Sequence, residues 1–193
     1  MVGTFNEVEN VKPLYEEIKQ IFETEIAEYD FNILFIDNAS HDGTQEVLTK
    51  LATDKRVKVI FNTQNFGPNR SAYHGMVNAP GDAVIMMCAD FQDPPSLIPA
   101  LVDKWTEGHQ IVMARKRHSQ EGLLFATLRS GYYWALRQSN GLYSKVSNCT
   151  GFGIYDRHII QKLQKIHDPN PFFRGIIAEI ASDIALIDYD RPK

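Results

Sequence analysis

Short apolar runs alternate with longer amphipathic segments through most of the chain. The amphipathic segments predict helices, and in the first of them Val11, Leu14 and Ile18 fall on one face. The apolar runs predict buried strands at 2–5, 31–36, 57–61, 83–88 and 111–114. Strands that alternate with helices form βαβ units, so the pattern predicts an α/β fold with a mostly parallel sheet flanked by helices.

The last third of the chain has a less regular pattern. It predicts a long helix at 123–137, a strand at 152–155, a helix at 157–165, a short helix after Phe172 and an edge strand at 184–189. The 123–137 segment carries apolar residues over much of its circumference, with Arg129 among them. Such a helix packs either on a membrane or partner surface or in the core, and the sequence leaves both interpretations open.

The composition is that of one globular domain. The chain has 193 residues, 44% of them hydrophobic, so it can bury a core. Its net charge of -4 argues against nucleic acid as a partner, because proteins that bind nucleic acid present basic faces. Cys88 and Cys149 form neither a disulfide framework nor a zinc set, which favours a reducing compartment. No apolar run reaches the roughly 18 residues that a transmembrane helix requires.

Oxygen-bearing side chains follow the strand at 83–88. Asp90 and Gln92 are alternate residues, so in an extended segment both side chains point the same way and could share one divalent cation. Ligands of open α/β sheets bind at the carboxyl ends of the strands, so this segment predicts a metal-assisted nucleotide site. The alternative for Asp90 is a buried carboxylate held by backbone donors. Asp93 precedes a proline pair and is predicted to cap the next helix.

A second polar cluster follows the strand at 31–36. Asp37 and Asn38 come directly after buried apolar residues, in positions that suit recognition of a base and ribose. Burial of a carboxylate at this position costs free energy unless the carboxylate is hydrogen-bonded or paired with a cation. Asp37 is therefore either a residue of the nucleotide site or a structural residue held by such partners. Asp42, which precedes Gly43 and Thr44, is better explained as a turn and helix entry.

Longer motifs recur in a fixed order along the chain. They are Thr4-Phe5-Asn6-Glu7, Asp37-Asn38-Ala39-Ser40 with Asp42-Gly43-Thr44, Asn65-Phe66-Gly67, Ala89 to Pro95, and Trp105-Thr106-Glu107-Gly108. Their order and spacing resemble family 2 glycosyltransferases of the GT-A fold, over essentially the whole chain. Further motifs resemble the polyprenyl-phosphate glycosyltransferase, or dolichyl-phosphate mannose synthase, branch of that family: Asp90 to Pro95, Ala114-Arg115-Lys116-Arg117, Phe173-Arg174-Gly175 and Tyr189-Asp190-Arg191-Pro192.

The resemblance implies a role for each matching residue. The implied nucleotide-binding residues are Thr4, Asn6, Glu7, Asp37, Asn38 and Asn65. The resemblance also implies that Asp90 and Gln92 hold Mg²⁺ or Mn²⁺, and that Arg115, Arg117 and Arg129 bind the acceptor phosphate. Asp90, Arg115 and Arg117 are the implied catalytic residues. The alternative for these arginines is an ordinary solvated surface.

Three residues depart from the pattern of the family. Asn38 and Cys88 stand where the family often has acids, and Gly151 stands where the branch commonly has a candidate catalytic carboxylate. Asn38 can still accept from a base N–H. Cys88 is interpreted as a small buried residue, because Mg²⁺ and Mn²⁺ prefer oxygen ligands. A lipid phosphate is already mostly dianionic near neutral pH, so such an acceptor needs no strong general base at Gly151.

The sequence therefore predicts an inverting glycosyltransferase. We expect it to move a sugar from a nucleotide diphosphate donor, UDP favoured over GDP, to a polyprenyl phosphate of the undecaprenyl or dolichyl type. One alternative is transfer to a saccharide hydroxyl in polysaccharide assembly, and another is an inactive nucleotide-sugar-binding module. Residues 1–193 are expected to form a single catalytic domain truncated at both ends. We expect this fragment to be soluble and the full-length protein to act at the cytoplasmic face of a membrane, with a homo-oligomer left open.

Overall fold

Seven strands form one sheet in the computed structural model, which describes residues 1–117, 146, 149–181 and 183–190. The strands are β1 (Val2–Thr4), β2 (Ile33–Asp37), β3 (Val57–Phe61), β4 (Ala83–Cys88), β5 (Ile111–Lys116), β6 (Cys149–Asp156) and β7 (Ala185–Tyr189). Their order across the sheet is β3-β2-β1-β4-β6-β5-β7. Only β6 among them runs antiparallel to its neighbours, which confirms the predicted mostly parallel sheet.

Helices connect the strands and cover both faces of the sheet. The described helices are α1 (Val11–Thr24), α2 (Thr44–Leu51), α3 (Pro68–Asn78), α4 (Ile98–Thr106), α5 (Arg157–Gln164) and α6 (Phe173–Ile180), with a 3₁₀ turn, Pro95–Leu97, before α4. Predicted and observed elements agree in type, and their ends coincide or differ by one or two residues, except that β6 begins three residues earlier than predicted. The predicted helix at 123–137 lies outside the described residues. No helix in the described part of the chain combines the length and apolar composition needed to cross a bilayer.

The core consists of two layers, one on each face of the sheet. Along β2, Ile33 and Phe35 pack in the layer that includes α1 and α4. Leu34 and Ile36 pack in the opposite layer, with α3, α5 and α6. Successive side chains of a strand point to opposite faces, so a strand covered on both sides is apolar at every position. This burial explains why the central strands are uninterrupted apolar runs.

The connections place a switch point between β1 and β4. From β1 the chain crosses to β2 and then β3 on one side, and it returns to β4 on the other side of β1. The loops that leave β1 and β4 therefore diverge in opposite directions, which opens a crevice at the carboxyl ends of these strands. This edge of the sheet is where a doubly wound fold binds its ligand.

Candidate active site at the carboxyl edge of the sheet

Strained backbone marks the loops that leave β1, β2 and β4. Among the described residues, the non-glycine residues with positive φ are Asn6 (57°), Ala39 (63°) and Phe91 (57°). Each follows the carboxyl end of one of these strands. A left-handed conformation costs a non-glycine residue about 1–2 kcal/mol, so the surrounding contacts must hold it in place. Such residues cluster at functional sites, and this cluster coincides with the crevice.

The loop after β1 is fastened to the loop after β2. The amide of Asn6 donates to Ser40 Oγ (2.8 Å), and Asn6 Oδ1 accepts from the amide of His41 (3.0 Å). The amide of Glu7 donates to Thr44 Oγ1 (2.8 Å). Thr4 is buried and its hydroxyl donates to Ile36 O (3.2 Å). The predicted nucleotide-binding residues Thr4, Asn6 and Glu7 thus all lie at this edge, where they shape the two loops.

Asp37 is a fully buried carboxylate that holds the turn before α2. Its Oδ2 accepts from the amide of Ser40 (3.0 Å) and from Gln45 Nε2 (2.8 Å). Its Oδ1 accepts from Ser40 Oγ (2.5 Å) and Thr4 Oγ1 (3.4 Å). Asp37 has 0% of its surface exposed. Of the two interpretations that the sequence left open, these contacts support the structural one.

Asn38 performs the same task for the loop after β3. Its Oδ1 accepts from Asn62 Nδ2 (3.2 Å) and from the amide of Phe66 (3.0 Å), and its Nδ2 donates to Asn65 Oδ1 (2.7 Å). Asn65 Oδ1 in turn accepts from the amide of Gly67 (2.8 Å). Asn38 and Asn65 therefore lie together at the carboxyl edge, and they fix the path of residues 62–67.

Asp42 forms the turn that was predicted for it. Its carboxylate accepts from the amides of Val8 (3.1 Å) and Thr44 (3.0 Å) and from Thr44 Oγ1 (2.6 Å), directly before α2. Desolvation would raise the pKa of Asp42, but these hydrogen bonds to its charged form outweigh it and hold the pKa below its ordinary value. Asp42 is therefore explained by turn chemistry.

Asp90 and Gln92 are exposed side by side at the end of β4. The segment that carries them is a turn and not the extended continuation that was predicted, because Phe91 adopts a positive φ. Asp90 Oδ1 accepts from the backbone amide of Gln92 (3.1 Å), so the carboxylate helps to fix the turn that carries both residues. Exposure excludes the alternative of a buried carboxylate for Asp90.

Two predictions at the end of β4 are wrong. Asp93 was predicted to cap the next helix, but its Oδ2 accepts from the amide of Cys88 (3.1 Å), and neither the 3₁₀ turn nor α4 has a side-chain cap. The turn at Phe91 reverses the chain and brings Asp93 back to the strand end, where Thr150 Oγ1 also donates to it (3.4 Å). Cys88 was predicted to be buried, but it is exposed on the same edge as Asp90.

The residues at β4 fit a divalent cation that is shared with a substrate. Mg²⁺ and Mn²⁺ sites of this kind use one or two protein carboxylates, with phosphate oxygens and waters completing the shell. Asp90 supplies an exposed carboxylate, and Gln92, two residues further along the same turn, carries an exposed side chain with an amide oxygen. The described residues contain no group of three or more His, Cys, Asp or Glu side chains that could hold a metal ion. The donor set therefore fits a cation that arrives with a diphosphate, and not one caged by protein alone.

The arginines at the end of β5 lie on the same edge, beyond β6. Arg115 makes a two-point ion pair with Asp188 of β7, from Nε to Oδ1 (2.6 Å) and from Nη2 to Oδ2 (3.0 Å). Hydrogen bonds from Arg115, followed by the charges of Arg115 and Arg117, hold the pKa of Asp188 below its ordinary value. Arg117 is exposed, and its amide donates to Tyr189 O (3.0 Å). The predicted Arg129 lies outside the described residues.

Arg174 is a further cation at this edge, one that the sequence placed in a motif but not in the site. Its Nη1 donates to Cys149 O (3.0 Å), and Cys149 is the register partner of Arg115. Burial raises the pKa of the Cys149 thiol to about 11, even though the charges of Arg115 and Arg174 act in the opposite direction. The signal was present in Phe173-Arg174-Gly175, but the pairing of β5 with β6 was needed to interpret it.

The backbone at the position that lacks the carboxylate of the family favours glycine. Gly151 is buried with a φ of +103°, a conformation that strains any residue with a side chain. A Cβ there would also lie 2.4 Å from Met86 Cε, the end of a flexible side chain that would have to move. An acid at this position would therefore require a change of the local backbone.

Exposed aromatic rings flank the crevice, and sequence reasoning did not assign them a role. Phe5, 41% exposed, follows β1 and contacts the His41 ring edge-on at 6.1 Å. Phe66, 38% exposed, lies in the loop that Asn38 holds. Both rings border the β1 and β2 side of the edge, where a planar apolar group can stack on them.

A cavity of about 380 Å³ lies at the opposite end of the sheet. It is lined by Met1, Phe22 and Phe31 and by the first residues of β2 and β4, Ile33 and Ala83. Most of this lining is apolar. The polar and charged groups that a nucleotide requires converge instead at the carboxyl edge, so we place the candidate active site there.

Three known proteins show what the chain resembles. A bactoprenol glucosyl transferase from Shigella phage SfV is 29% identical over 199 residues, which cover 99% of this chain and 62% of that protein. Mannosyl-3-phosphoglycerate synthase from Rubrobacter xylanophilus has a TM-score of 0.65 at 20% identity, over 100% of this chain and 64% of that one. The mannosyltransferase PcManGT from Pyrobaculum calidifontis, solved with GDP-Man and Mn²⁺, has a TM-score of 0.58 at 18% identity, over 100% of this chain and 56% of that one.

These similarities confirm the predicted fold and family. The two solved structures share the GT-A fold with this chain, and the phage protein confirms the predicted resemblance to the polyprenyl-phosphate branch. The chain spans about 62% of the length of that relative. Residues 1–164 match the sequence profile described as Glycosyl transferase family 2. Because this match extends over most of the 193 residues, the chain belongs to glycosyltransferase family 2.

Proposed function

We propose that this chain catalyses inverting transfer of a sugar from a nucleotide diphosphate donor to a polyprenyl phosphate. The observation that carries the proposal is the order of groups along the carboxyl edge. Stacking and polar groups lie at β1 and β2, an exposed carboxylate lies at β4, and arginines lie at β5. Neighbouring strands are about 4.8 Å apart, so β4 and β5, separated by β6, are about 10 Å apart. A sugar ring can lie between a diphosphate at β4 and an acceptor at β5.

The donor side of this proposal uses the β1, β2 and β4 loops. The exposed Phe5 and Phe66 rings offer faces for the base, and the loops held by Asp37 and Asn38 offer backbone groups to the nucleoside. Asp90 and Gln92 would hold the divalent cation on the diphosphate. When bound, the cation stabilises the negative charge that develops on the departing diphosphate. A uridine donor remains favoured over a guanosine donor as an expectation from the sequence.

The acceptor side uses the arginines near β5. An oxygen of the acceptor phosphate forms a bond to the anomeric carbon while the bond from that carbon to the diphosphate oxygen breaks, and the electron pair leaves with the nucleotide diphosphate. This single displacement inverts the anomeric configuration. The phosphate enters as a dianion, so it needs cations to orient it and no general base, and Arg115 and Arg117 would supply those cations. The absence of a side chain at Gly151 is compatible with this chemistry.

The name of the phage relative supports a polyprenyl acceptor, and the acceptor brings a membrane surface with it. We therefore propose that the whole protein works at the cytoplasmic face of a membrane. A saccharide hydroxyl as acceptor is the second candidate, and it would require a carboxylate base that the Gly151 position does not provide. An inactive nucleotide-sugar-binding module is the third, motivated by Asn38 and by Cys88 in place of an acid.

The test is transfer of label from radiolabelled UDP and GDP sugars into a solvent-extractable lipid, with polyprenyl phosphate and Mn²⁺ or Mg²⁺ present. We expect Asp90→Ala to abolish transfer. Asp103→Ala is the matched control, because Asp103 is an exposed carboxylate on α4, and it should leave transfer unchanged. Label in a saccharide acceptor and not in the lipid would favour the second candidate. Nucleotide binding without any transfer would favour the third.

A further inference from the structure

Phe172 presents an apolar ring to solvent directly before α6. It is 50% exposed, more than Phe5, Phe61 or Phe66, the other large exposed hydrophobic side chains among the described residues. Its neighbour Phe173 is buried at 4% exposure and packs edge-on against Tyr155 at 5.3 Å. Because Phe173 anchors the backbone, the exposure of Phe172 belongs to an ordered part of the fold.

Arg174 places a cation beside this ring. Its guanidinium lies 5.6 Å from the centre of the Phe172 ring, and its Nη1 donates to Cys149 O (3.0 Å). A guanidinium has five N–H donors, and the contacts described for Arg174 use one of them, with a neutral carbonyl as acceptor. Arg115, by contrast, gives two of its donor groups to the Asp188 carboxylate. Arg174 is therefore the better placed of the two to bind an incoming anion.

The position of Arg174 and Phe172 favours contact with the acceptor over contact with the sugar donor. Arg174 reaches the first residue of β6, whose register partner on β5 is Arg115. The start of β6 also contacts the β4 loop, because Thr150 Oγ1 donates to Asp93. An anion beside Arg174 would thus lie next to the Asp90 turn, on the side away from β1 and β2. A charged group and an exposed apolar ring side by side match an amphiphile with an anionic head.

We propose that Arg174 and Phe172 form a subsite for a lipid-linked phosphate monoester. Arg174 contacts the phosphate, and the Phe172 ring packs against the first apolar units of the lipid. This inference rests on the proposed function, which it deepens by naming acceptor-binding residues. A guanidinium binds two phosphate oxygens in a fixed geometry, so replacement by lysine keeps the charge but not the full interaction.

The experiment measures binding of farnesyl phosphate to the full chain by calorimetry, without a sugar donor. Loss of a charged hydrogen-bonding partner weakens binding by about tenfold or more, so we expect that effect for Arg174→Ala and a smaller one for Arg174→Lys. Phe172→Ser should weaken binding of farnesyl phosphate and leave binding of inorganic phosphate unchanged. Farnesol, which lacks the phosphate, should bind no better to the wild type than to Arg174→Ala.

Arg157→Ala is the matched control. Arg157 also donates to backbone carbonyls, those of Gly81 (2.6 Å) and Ala79 (2.9 Å), but it lies at the opposite edge of the sheet. It should leave farnesyl phosphate affinity within twofold of the wild type. Equal affinity of Arg174→Ala and wild type for farnesyl phosphate would overturn the subsite. Equal affinity of the wild type for inorganic phosphate and farnesyl phosphate would overturn the lipid part of the proposal and make the subsite one for free phosphate.

The binding assay and the transfer assay together distinguish failure of the subsite from failure of the proposed function. If the wild type binds farnesyl phosphate through Arg174 but transfers no sugar, the subsite stands and the proposed reaction fails. If the wild type transfers sugar and Arg174→Ala keeps the acceptor KM within twofold, the reaction stands and the subsite fails.

Discussion

Replacement of Asp37 by alanine distinguishes a structural carboxylate from a nucleotide ligand. In the structure the side chain is fully buried and accepts four hydrogen bonds. One comes from the Ser40 backbone amide, which cannot rotate to find another acceptor. The other three come from the half-buried Gln45 side chain and from the hydroxyls of Ser40 and Thr4, all of which can rotate. Asp37→Ala therefore leaves the Ser40 amide without its acceptor and removes the charged group on which the other donors converge.

The expected loss of stability follows from these hydrogen bonds. An amide that loses its partner costs about 1–3 kcal/mol, and the other lost hydrogen bonds to the carboxylate add to this cost, so we expect Asp37→Ala to lower the free energy of unfolding by about 3 kcal/mol. With a slope of about 2 kcal/mol per molar urea, the unfolding midpoint should fall by about 1.5 M. Asp37→Asn should cost less, because the rotating hydroxyls can accept from the new amide group.

Urea unfolding followed by tryptophan fluorescence measures this loss, with Asp42→Ala as the matched control. Asp42 lies in the same loop and accepts three hydrogen bonds, but it is exposed, so water can replace its carboxylate and the expected loss is only about 1 kcal/mol. Nucleotide affinity is measured in parallel at low urea. Equal stability of the two variants, combined with lost nucleotide binding in Asp37→Ala alone, would refute the structural assignment and make Asp37 a direct ligand.

Three further predictions follow from other parts of the structure. Mn²⁺, followed by electron paramagnetic resonance, should bind at least tenfold more tightly with nucleoside diphosphate present, and Asp90→Ala should remove that gain. Gly153→Ala should destabilise the fold by roughly 3 kcal/mol or more in urea unfolding, because the new Cβ would lie 2.3 Å from Val112 O; Gly3→Ala, with nothing within 4 Å, should cost under about 1 kcal/mol. Asp156→Ala should cost about 1–2 kcal/mol, because Asp156 caps α5 and accepts from Trp105 Nε1 (2.9 Å). Partial burial would raise the pKa of Asp156, but the hydrogen bonds to its charged form outweigh burial and hold that pKa below the ordinary value. The stabilisation by Asp156 is therefore present above about pH 4 and is lost as the pH falls through the pKa of the folded state. Stability measured from pH 7 to pH 2 should therefore fall less in the variant.

The strands and the location of the site could be predicted because both follow from local pattern. A strand covered on both faces must be apolar throughout, as β2 is, and polar groups can appear only where such a strand ends. Asp90 was found in this way at the carboxyl edge, whereas Asn65 was assigned only by the resemblance to the family. Asp42 was assigned correctly because its turn is formed within three residues.

The errors arose where the chain reverses or where distant segments meet. At Phe91, with its positive φ, a segment predicted to be extended turns back on itself, so Asp93 returns to the end of β4 and does not cap the next helix. Cys88, predicted to be buried, is exposed. The ion pair between Arg115 and Asp188 joins residues 73 positions apart, and no periodicity indicates the register of β7 against β5. Arg174 was left out of the site for the same reason.

We propose that the chain joins a sugar to a lipid phosphate with inversion. The most direct measurement is ³¹P and ¹H NMR of the product formed from one α-linked nucleotide sugar and a polyprenyl phosphate with Mg²⁺. We expect a phosphodiester between the anomeric carbon and the lipid phosphate, with the β configuration, in wild type and not in Asp90→Ala. An α-linked product, or free sugar released by hydrolysis without any phosphodiester, would contradict it.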